Sequence, residues 1–251
     1  MPRFAANLTM LFTELPMLHR FQAARDARFD GVEVLFPYDL PPADFGRALD
    51  DSGLPLVLMN TPAGDLQAGE RGFAAVAGAK DRFQSGLHKA LEIAQILAPR
   101  HVHIMSGNAD GPQAFQTLVE NLTYATSIAP SQNFLVEPLN PHDMPGYFLN
   151  SFDLADRIIA AVNAPNLGLQ FDAYHAHRIT QDVLATWRKY HHATRHIQIA
   201  DHPGRHEPGT GEIDFSALMS AVSDSGYQGW VSAEYTPATT TSDGLNWRAV
   251  F

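Results

Sequence analysis

The stretch VSAEYTP, residues 231–237, is a short apolar run that stops being apolar at a carboxylate, Glu234. The same ending recurs in FLVEPLN (134–140), LGLQFDAYH (167–175) and HIQIAD (196–201), where Glu137, Asp172 and Gln198 stand at or near the C-terminal end of an apolar segment. Reading outward from these four, further β-favouring runs begin near FAANLTML at 4, GVEVLFP at 31, LPLVLMN at 54 and HVHIMSG at 101, which makes eight candidate strands. Several are nearly continuous rather than alternating, which suits parallel strands covered on both faces.

The intervening segments carry helical periodicity. In AKDRFQSGLHKALEIAQILA (79–98), Phe83, Leu87, Ala90, Leu91, Ala94 and Leu97 form one stripe. Ser151 reads as the N-cap of FDLADRIIAAV (152–162), where Phe152, Ala155, Ile158, Ile159 and Val162 keep the spacing, and Gly53 and Gly226 close two other helices. Strand and helix alternate throughout. Eight βα units in 251 residues predict an α/β fold, a single (β/α)8 TIM barrel over 1–251, rather than a doubly wound sheet with its Gly-rich first turn. Neither G-x-G-x-x-G nor a Walker motif is present. The long segment TPAGDLQAGERGFAAVAGAKD (61–81), between the third and fourth strands, is expected to be a loop covering the active-site side.

With 45% hydrophobic residues the chain can bury a large core. A net charge of −10 argues against a phosphate-neutralising surface for nucleic acid and against a basic membrane-docking face. The absence of cysteine removes disulfides, thiolate nucleophiles and thiolate metal ligands, so any metal must be held by oxygen or imidazole. Asn7, Thr9 and Glu14 interrupt the apolar opening, and no stretch approaches a membrane span. The expectation is a cytoplasmic enzyme acting on a small molecule, with a homo-oligomer left open.

In a (β/α)8 barrel, polar residues at the C-terminal ends of separate strands converge on one volume. Glu137, Asp172, Gln198 and Glu234 would come from four adjacent staves. Three carboxylates packed together repel and protonate unless a cation joins them, and carboxylate and amide oxygens suit a hard divalent ion such as Mg²⁺ or Mn²⁺. The bland alternative has each carboxylate capping a helix or pairing with an arginine. His175, three residues after Asp172, and Arg205, in HPGRHEPGTGEID (202–214), lie on segments leaving two of these strands and are candidates to hold substrate oxygens. His191, His192 and His196 straddle a helix end and a strand start and are read as lying on the stability face. His101 and His103 in HVHIM alternate at the start of a strand and read as structural.

Together, VEPLN, QFDAYH, HIQIADHPGRHEPGTGEID and VSAEY resemble the xylose-isomerase-like superfamily, and within it the hydroxypyruvate isomerase family; the likeness extends from RFAANLTMLF through NTPAGDLQAGERG to TTTSDGLNW. The resemblance implies that Glu137, Asp172, Gln198 and Glu234 bind the divalent metal, that the two glutamates donate and accept protons, and that His175 and Arg205 contact substrate. It implies conversion of hydroxypyruvate to tartronate semialdehyde, with 2-oxo-tetronate isomerisation as the near alternative. One departure matters. Family members commonly have Glu-Tyr-Lys-Pro after the eighth strand, whereas Tyr235 is followed here by Thr236, so a cation for a substrate carboxylate is missing from that position.

Such an isomerisation removes a proton from a carbon acid too weak for a carboxylate base unless the enolate charge is stabilised as it develops. Glu137 and Glu234 are expected to exchange protons with a planar cis-enediolate, each keeping one oxygen free of the metal, while Asp172 and Gln198 mainly hold the ion. A neutral ketose 3-epimerase would use the same groups. A barrel endonuclease would need several metals, more histidine ligands and a basic groove. A catalytically silent sugar-acid or metal-binding barrel would have no use for two bases.

Overall fold

The eight apolar runs are the eight staves of a closed parallel barrel, each strand hydrogen-bonded to the next and the eighth to the first. The structure, a computed structural model, describes residues 3–249. The strands are β1 (Arg3–Asn7), β2 (Gly31–Glu33), β3 (Leu56–Asn60), β4 (His101–His103), β5 (Asn133–Val136), β6 (Leu167–Asp172), β7 (Thr194–Ile199) and β8 (Trp230–Ala233). The first five are followed in turn by α1 (Arg20–Asp26), α2 (Pro42–Ser52), α3 (Lys80–Leu97), α4 (Gly111–Ile128) and α5 (Phe152–Val162). Two short helices, α6 (Ala173–Thr180) and α7 (Val183–Tyr190), follow β6; α8 (Phe215–Asp224) follows β7, and a 3-10 segment, Asp243–Ala249, follows β8. Closure leaves no strand edge unpaired.

The helices form where the apolar stripes fall. In α3, Phe83, Leu87, Ala90, Ile93, Ala94 and Leu97 are buried, and Leu91 packs half-buried beside them. At the start of α5 the Ser151 hydroxyl accepts from the Leu154 N–H at 3.2 Å, a cap worth about 1 kcal/mol. Gly53 ends α2 with φ +65°, its N–H reaching the carbonyl oxygens of Leu49 and Asp50, and Gly226 (φ +74°) follows the end of α8. The outer core is aromatic around β6: Phe171 packs edge-on against Trp187 and tilted against Phe152, which stacks on Tyr190.

The barrel interior divides in two. At one level Ala5, Val57 and Trp230 form a small apolar cluster of their own. At another, Asn7, Glu33, Asn60, His103, Glu137, Gln170, Asp172, His196, Gln198 and Glu234 are all buried. Register sets the neighbours in this polar level: Asp172 pairs with Gln198 and Ile199 with Ala233, the residue before Glu234.

The segment between β3 and α3 does lie against the strand ends. Gly72 bridges to Ser106, just beyond β4, and donates to the Ala63 carbonyl at 2.7 Å. Gly72 has φ +95°, and a Cβ there would stand 2.4 Å from the Met105 carbonyl oxygen, so glycine alone permits this approach. β4 proves to be three residues long, so His103 stands at its C-terminal end rather than at a strand start. Likewise β7 begins at Thr194, which carries His196 into the barrel interior, 0% exposed, instead of leaving it at the stability face. No helix among the described residues is long and apolar enough to cross a membrane.

Candidate active site

Glu137 directly follows β5, Asp172 is the last residue of β6, Gln198 is the penultimate residue of β7 and Glu234 directly follows β8. A cavity of about 310 Å³ is lined by two of them, Glu137 and Glu234, with His175, Arg205, Asn60, Arg71, His103, Phe36, Leu66 and Met144, while Asp172 and Gln198 lie buried outside its lining. Ligand atoms of Glu137, Asp172 and His175 lie within 4.8 Å of one another. Arg205 ties Glu234 to them, its Nη2 donating to Glu234 Oε2 at 2.5 Å and standing 3.4 Å from Asp172 Oδ2. Arg205 adopts φ +54°, an unfavourable backbone for a side-chain-bearing residue, and its carbonyl is held by the Thr236 N–H at 3.0 Å.

The bland reading of these carboxylates is also realised. Asp172 Oδ1 caps α6, accepting from the N–H groups of Tyr174 (2.7 Å) and His175 (3.2 Å), which leaves Oδ2 as the oxygen nearer Arg205. Glu234 Oε1 accepts from Asn7 Nδ2 at 3.1 Å. Gln170 Nε2 donates both to Glu137 Oε2 (2.8 Å) and to Gln198 Oε1 (2.6 Å), so one nitrogen holds two of the four candidate ligands in place. The other end of the Gln198 amide donates to Glu33 Oε2 at 3.0 Å. One lone pair of Gln198 Oε1 is thus already engaged, and a second remains.

The hydrogen bonds of His175 assign its tautomer. Nδ1 accepts from the Asn140 backbone N–H at 3.0 Å, so the proton of the neutral ring sits on Nε2. Burial pushes the His175 ring down to about 4, against the pull of Asp172, and it is neutral at pH 7. A protonated Nε2 donates rather than ligates, which makes His175 a donor to an oxygen in the cavity. Asn140 in turn is held by Asp143, its Nδ2 donating at 2.9 Å, and the Tyr174 hydroxyl donates to the same carboxylate at 2.9 Å.

Electrostatics mark the two glutamates. Burial first, then the neighbouring Glu234 and Asp172, raise Glu137 well above the ordinary carboxylate range. Burial likewise raises Glu234 to about 8, with Arg205 opposing and Asp172 and Glu33 adding to it. Arg205 stays charged, the cost of its burial outweighed by Glu234 and Asp172. One guanidinium therefore offsets part of the charge of three buried carboxylates. An oxygen-rich, under-neutralised set fits a hard divalent cation, and the Glu137 and Asp172 oxygens, within 4.8 Å of each other, are close to the roughly 3–4.2 Å between oxygens around an octahedral ion with bonds of about 2.1 Å.

Several residues around this site were either passed over in the sequence or, like His103 and His196, assigned no functional role there. His103 Nδ1 lies 3.6 Å from Glu137 Oε2, and burial lowers the ring to about 3, so it is neutral. Glu33, fully buried, receives Asn7 Nδ2 at 3.2 Å on the oxygen that also takes Gln198, and its other oxygen is in close contact with His196 Nε2. As the last residue of β2, Glu33 obeys the same strand-end rule that selected the other carboxylates. Gln170 and Asp172, and His196 and Gln198, are two apart, which in a strand places each pair on one face. Arg71 carries no such signal: it reaches the cavity from the covering loop, its Nη1 donating to the carbonyl oxygens of Leu66 (3.0 Å) and Glu70 (2.7 Å).

The chain's relatives agree with this architecture. Residues 21–249 match the sequence profile of the family described as xylose isomerase-like TIM barrel. A 2-oxo-tetronate isomerase of Cupriavidus necator is 42% identical over 98% of the chain and 97% of its own length. The hydroxypyruvate isomerase of Escherichia coli is 40% identical over 98% of each. A crystal structure described as AP endonuclease, family 2, from Brucella melitensis superposes with a TM-score of 0.96 at 43% identity, covering 100% of this chain and 99% of the other. The chain therefore belongs to the xylose isomerase-like TIM barrel family, and within it to the group of isomerases that holds the hydroxypyruvate and 2-oxo-tetronate isomerases.

Proposed function

We propose that the chain is a divalent-metal-dependent isomerase of a short 2-oxo acid, converting hydroxypyruvate to tartronate semialdehyde or performing the equivalent step on a 2-oxo-tetronate. The observation that carries this reading is the pair Glu137 and Glu234: two buried carboxylates on different staves, lining one cavity beside Asp172. Two such carboxylates, each keeping one oxygen free, can take up and return a proton at neighbouring carbons. The names of the relatives at 40–42% identity supply the substrate class.

Glu137, Asp172, Gln198 and Glu234 would hold the ion, Mg²⁺ or Mn²⁺, whose contribution is to polarise the substrate carbonyl and stabilise charge on the developing enolate. Gln170 fixes Glu137 by Oε2 and leaves Oε1 to meet the substrate proton. Glu234 is steadied at Oε1 by Asn7 and at Oε2 by Arg205, so a shift of Arg205 toward substrate frees the second base. The Nε2–H of His175 donates to a substrate oxygen. Arg71 supplies a cation in the cavity although position 236 is threonine, and with Arg205 it gives a carboxylate two anchors. Phe36, Leu66 and Met144 help keep water away from the reacting carbons.

The test is turnover with Mg²⁺ or Mn²⁺ of hydroxypyruvate, 2-oxo-tetronates and free ketoses in D₂O, followed by NMR. Isomerisation of a 2-oxo acid with deuterium entering at the carbon next to the carbonyl supports the reading. Epimerisation of a neutral ketose with no action on the acids replaces it with the 3-epimerase alternative, and stoichiometric binding without turnover leaves only a binding barrel.

A further inference from the structure

We propose that His177, His202 and Glu212 form a separate binding site for a transition-metal dication of the zinc or cobalt type, outside the cavity described above. His177 comes from α6, and the other two from the segment between β7 and α8. Glu212 Oε2 lies 3.5 Å from His177 Nε2 and 3.5 Å from His202 Nδ1, and all three ligand atoms are within 4.8 Å of one another. Neither 3.5 Å contact is a hydrogen bond, since N–H···O bonds run about 2.7–3.2 Å. Both ring nitrogens are buried and have no hydrogen-bond partner among the described residues. Yet 3.5 Å is close to the edge of a tetrahedron built on a metal with bonds of about 2.0–2.1 Å, roughly 3.3–3.4 Å. Two imidazoles and one carboxylate are a donor set that favours zinc-like ions over Mg²⁺.

The scaffold holds two of the ligands ready. The Glu212 N–H donates to the His202 carbonyl at 2.7 Å, and a Cβ at Gly211 would stand 2.0 Å from that same oxygen, so only glycine lets the two strands of the loop close. Asp201, fully buried, gathers the N–H groups of Gly209 (2.9 Å), Gly211 (2.9 Å) and Ile213 (3.1 Å) around the same turn. The Glu212 side chain is 64% exposed and His177 only 12%, which gives the site an entrance from solvent and a fixed floor.

One neighbour opposes the ion in a defined way. Arg178 Nη1 stands 3.3 Å from His202 Nε2 and Nη2 stands 3.4 Å from Asp143 Oδ1. In the metal-free ring Nε2 accepts from Arg178 and the proton is on Nδ1. When Nδ1 binds the ion its proton is relocated to Nε2, and Arg178 gives up His202 and keeps Asp143. Occupancy would clamp α6, which carries His175, to the segment that carries Arg205. None of this depends on the isomerase reading.

Co²⁺ is the probe, titrated into the protein in excess Mg²⁺ and followed by visible absorption, because four-coordinate Co²⁺ with nitrogen ligands absorbs far more strongly than six-coordinate Co²⁺ among oxygens. The expected result is an intense band saturating at one equivalent, with binding at least about 100-fold weaker in His202→Ala and in Glu212→Ala. Arg178→Gln, which removes a nearby positive charge and replaces a donor-only group by an amide whose oxygen can accept from the His202 Nε2–H, binds Co²⁺ several-fold more tightly than the wild type. Absence of the band, or a band that survives both alanine variants, overturns the site; binding in Arg178→Gln no tighter than wild type overturns the proton relocation.

Discussion

Binding Mn²⁺ to the metal-free protein at pH 7 is expected to expel about one proton or more per ion from the carboxylates of the cavity. Glu234, raised to about 8, is roughly nine-tenths protonated at pH 7, and Glu137 is raised as well. A carboxylate must shed its proton to ligate. Calorimetric titration in buffers of different ionisation enthalpy reads this directly: the observed heat varies with the buffer at a slope of about one proton per ion or more. The slope falls as the pH passes 8. The same shift governs stability. Below the ordinary value of 4.5, Glu234 is protonated folded and unfolded, and its burial carries no ionisation cost. As pH rises from 4.5 to about 8 the unfolded chain ionises first, so the metal-free fold loses stability across that window and levels off above it. At 1.36 kcal/mol for each tenfold change in acidity, the loss from Glu234 alone is of the order of 5 kcal/mol. Mn²⁺ offsets it, so the rise in Tm on adding Mn²⁺ is largest near pH 8 and vanishes toward pH 4.5. Buffer-independent heats at pH 7, with a Tm shift that ignores pH, would refute the crowded-carboxylate argument.

Other outcomes follow from the same contacts. Glu137→Gln and Glu234→Gln each lower isomerisation at least about 1,000-fold in a progress-curve assay while raising the metal-free Tm at pH 8, because a buried ionisable group is removed. Gln170→Ala, which frees Glu137 and Gln198 together, weakens Mn²⁺ binding about 10- to 100-fold by calorimetry with an unchanged far-UV spectrum. Arg71→Gln raises KM for a 2-oxo acid about tenfold or more and leaves kcat within a few-fold, as loss of a ground-state anchor should. Gly72→Ala, forced against the Met105 carbonyl at φ +95°, lowers the denaturation free energy by more than about 1 kcal/mol in urea.

The strand-end rule picked out Glu137, Asp172, Gln198 and Glu234, and the fold sets all four at or beside strand C-termini, because barrel closure converts chain position into spatial position, and that conversion needs only the count and spacing of apolar runs. By the same logic Glu33 was within reach, and alternation along β6 and β7, had it been applied, would have placed Gln170 and His196 in the same inward file as Asp172 and Gln198. His103 was misplaced because β4 is too short for periodicity to show which end of the strand it occupies.

What the sequence by itself determined is the list of staves, the helices that cover them and the carboxylates at their ends, since strand period, helical stripes and caps act over a few residues. Who meets whom was decided only in three dimensions. Glu33 touches His196 from 163 residues away, Gln170 bridges Glu137 and Gln198, and Arg71 enters the cavity from a loop whose path is set by Gly72 against Met105. Those pairings depend on the stagger of the closed barrel and on where a loop comes to rest, and neither leaves a local trace in the order of the residues.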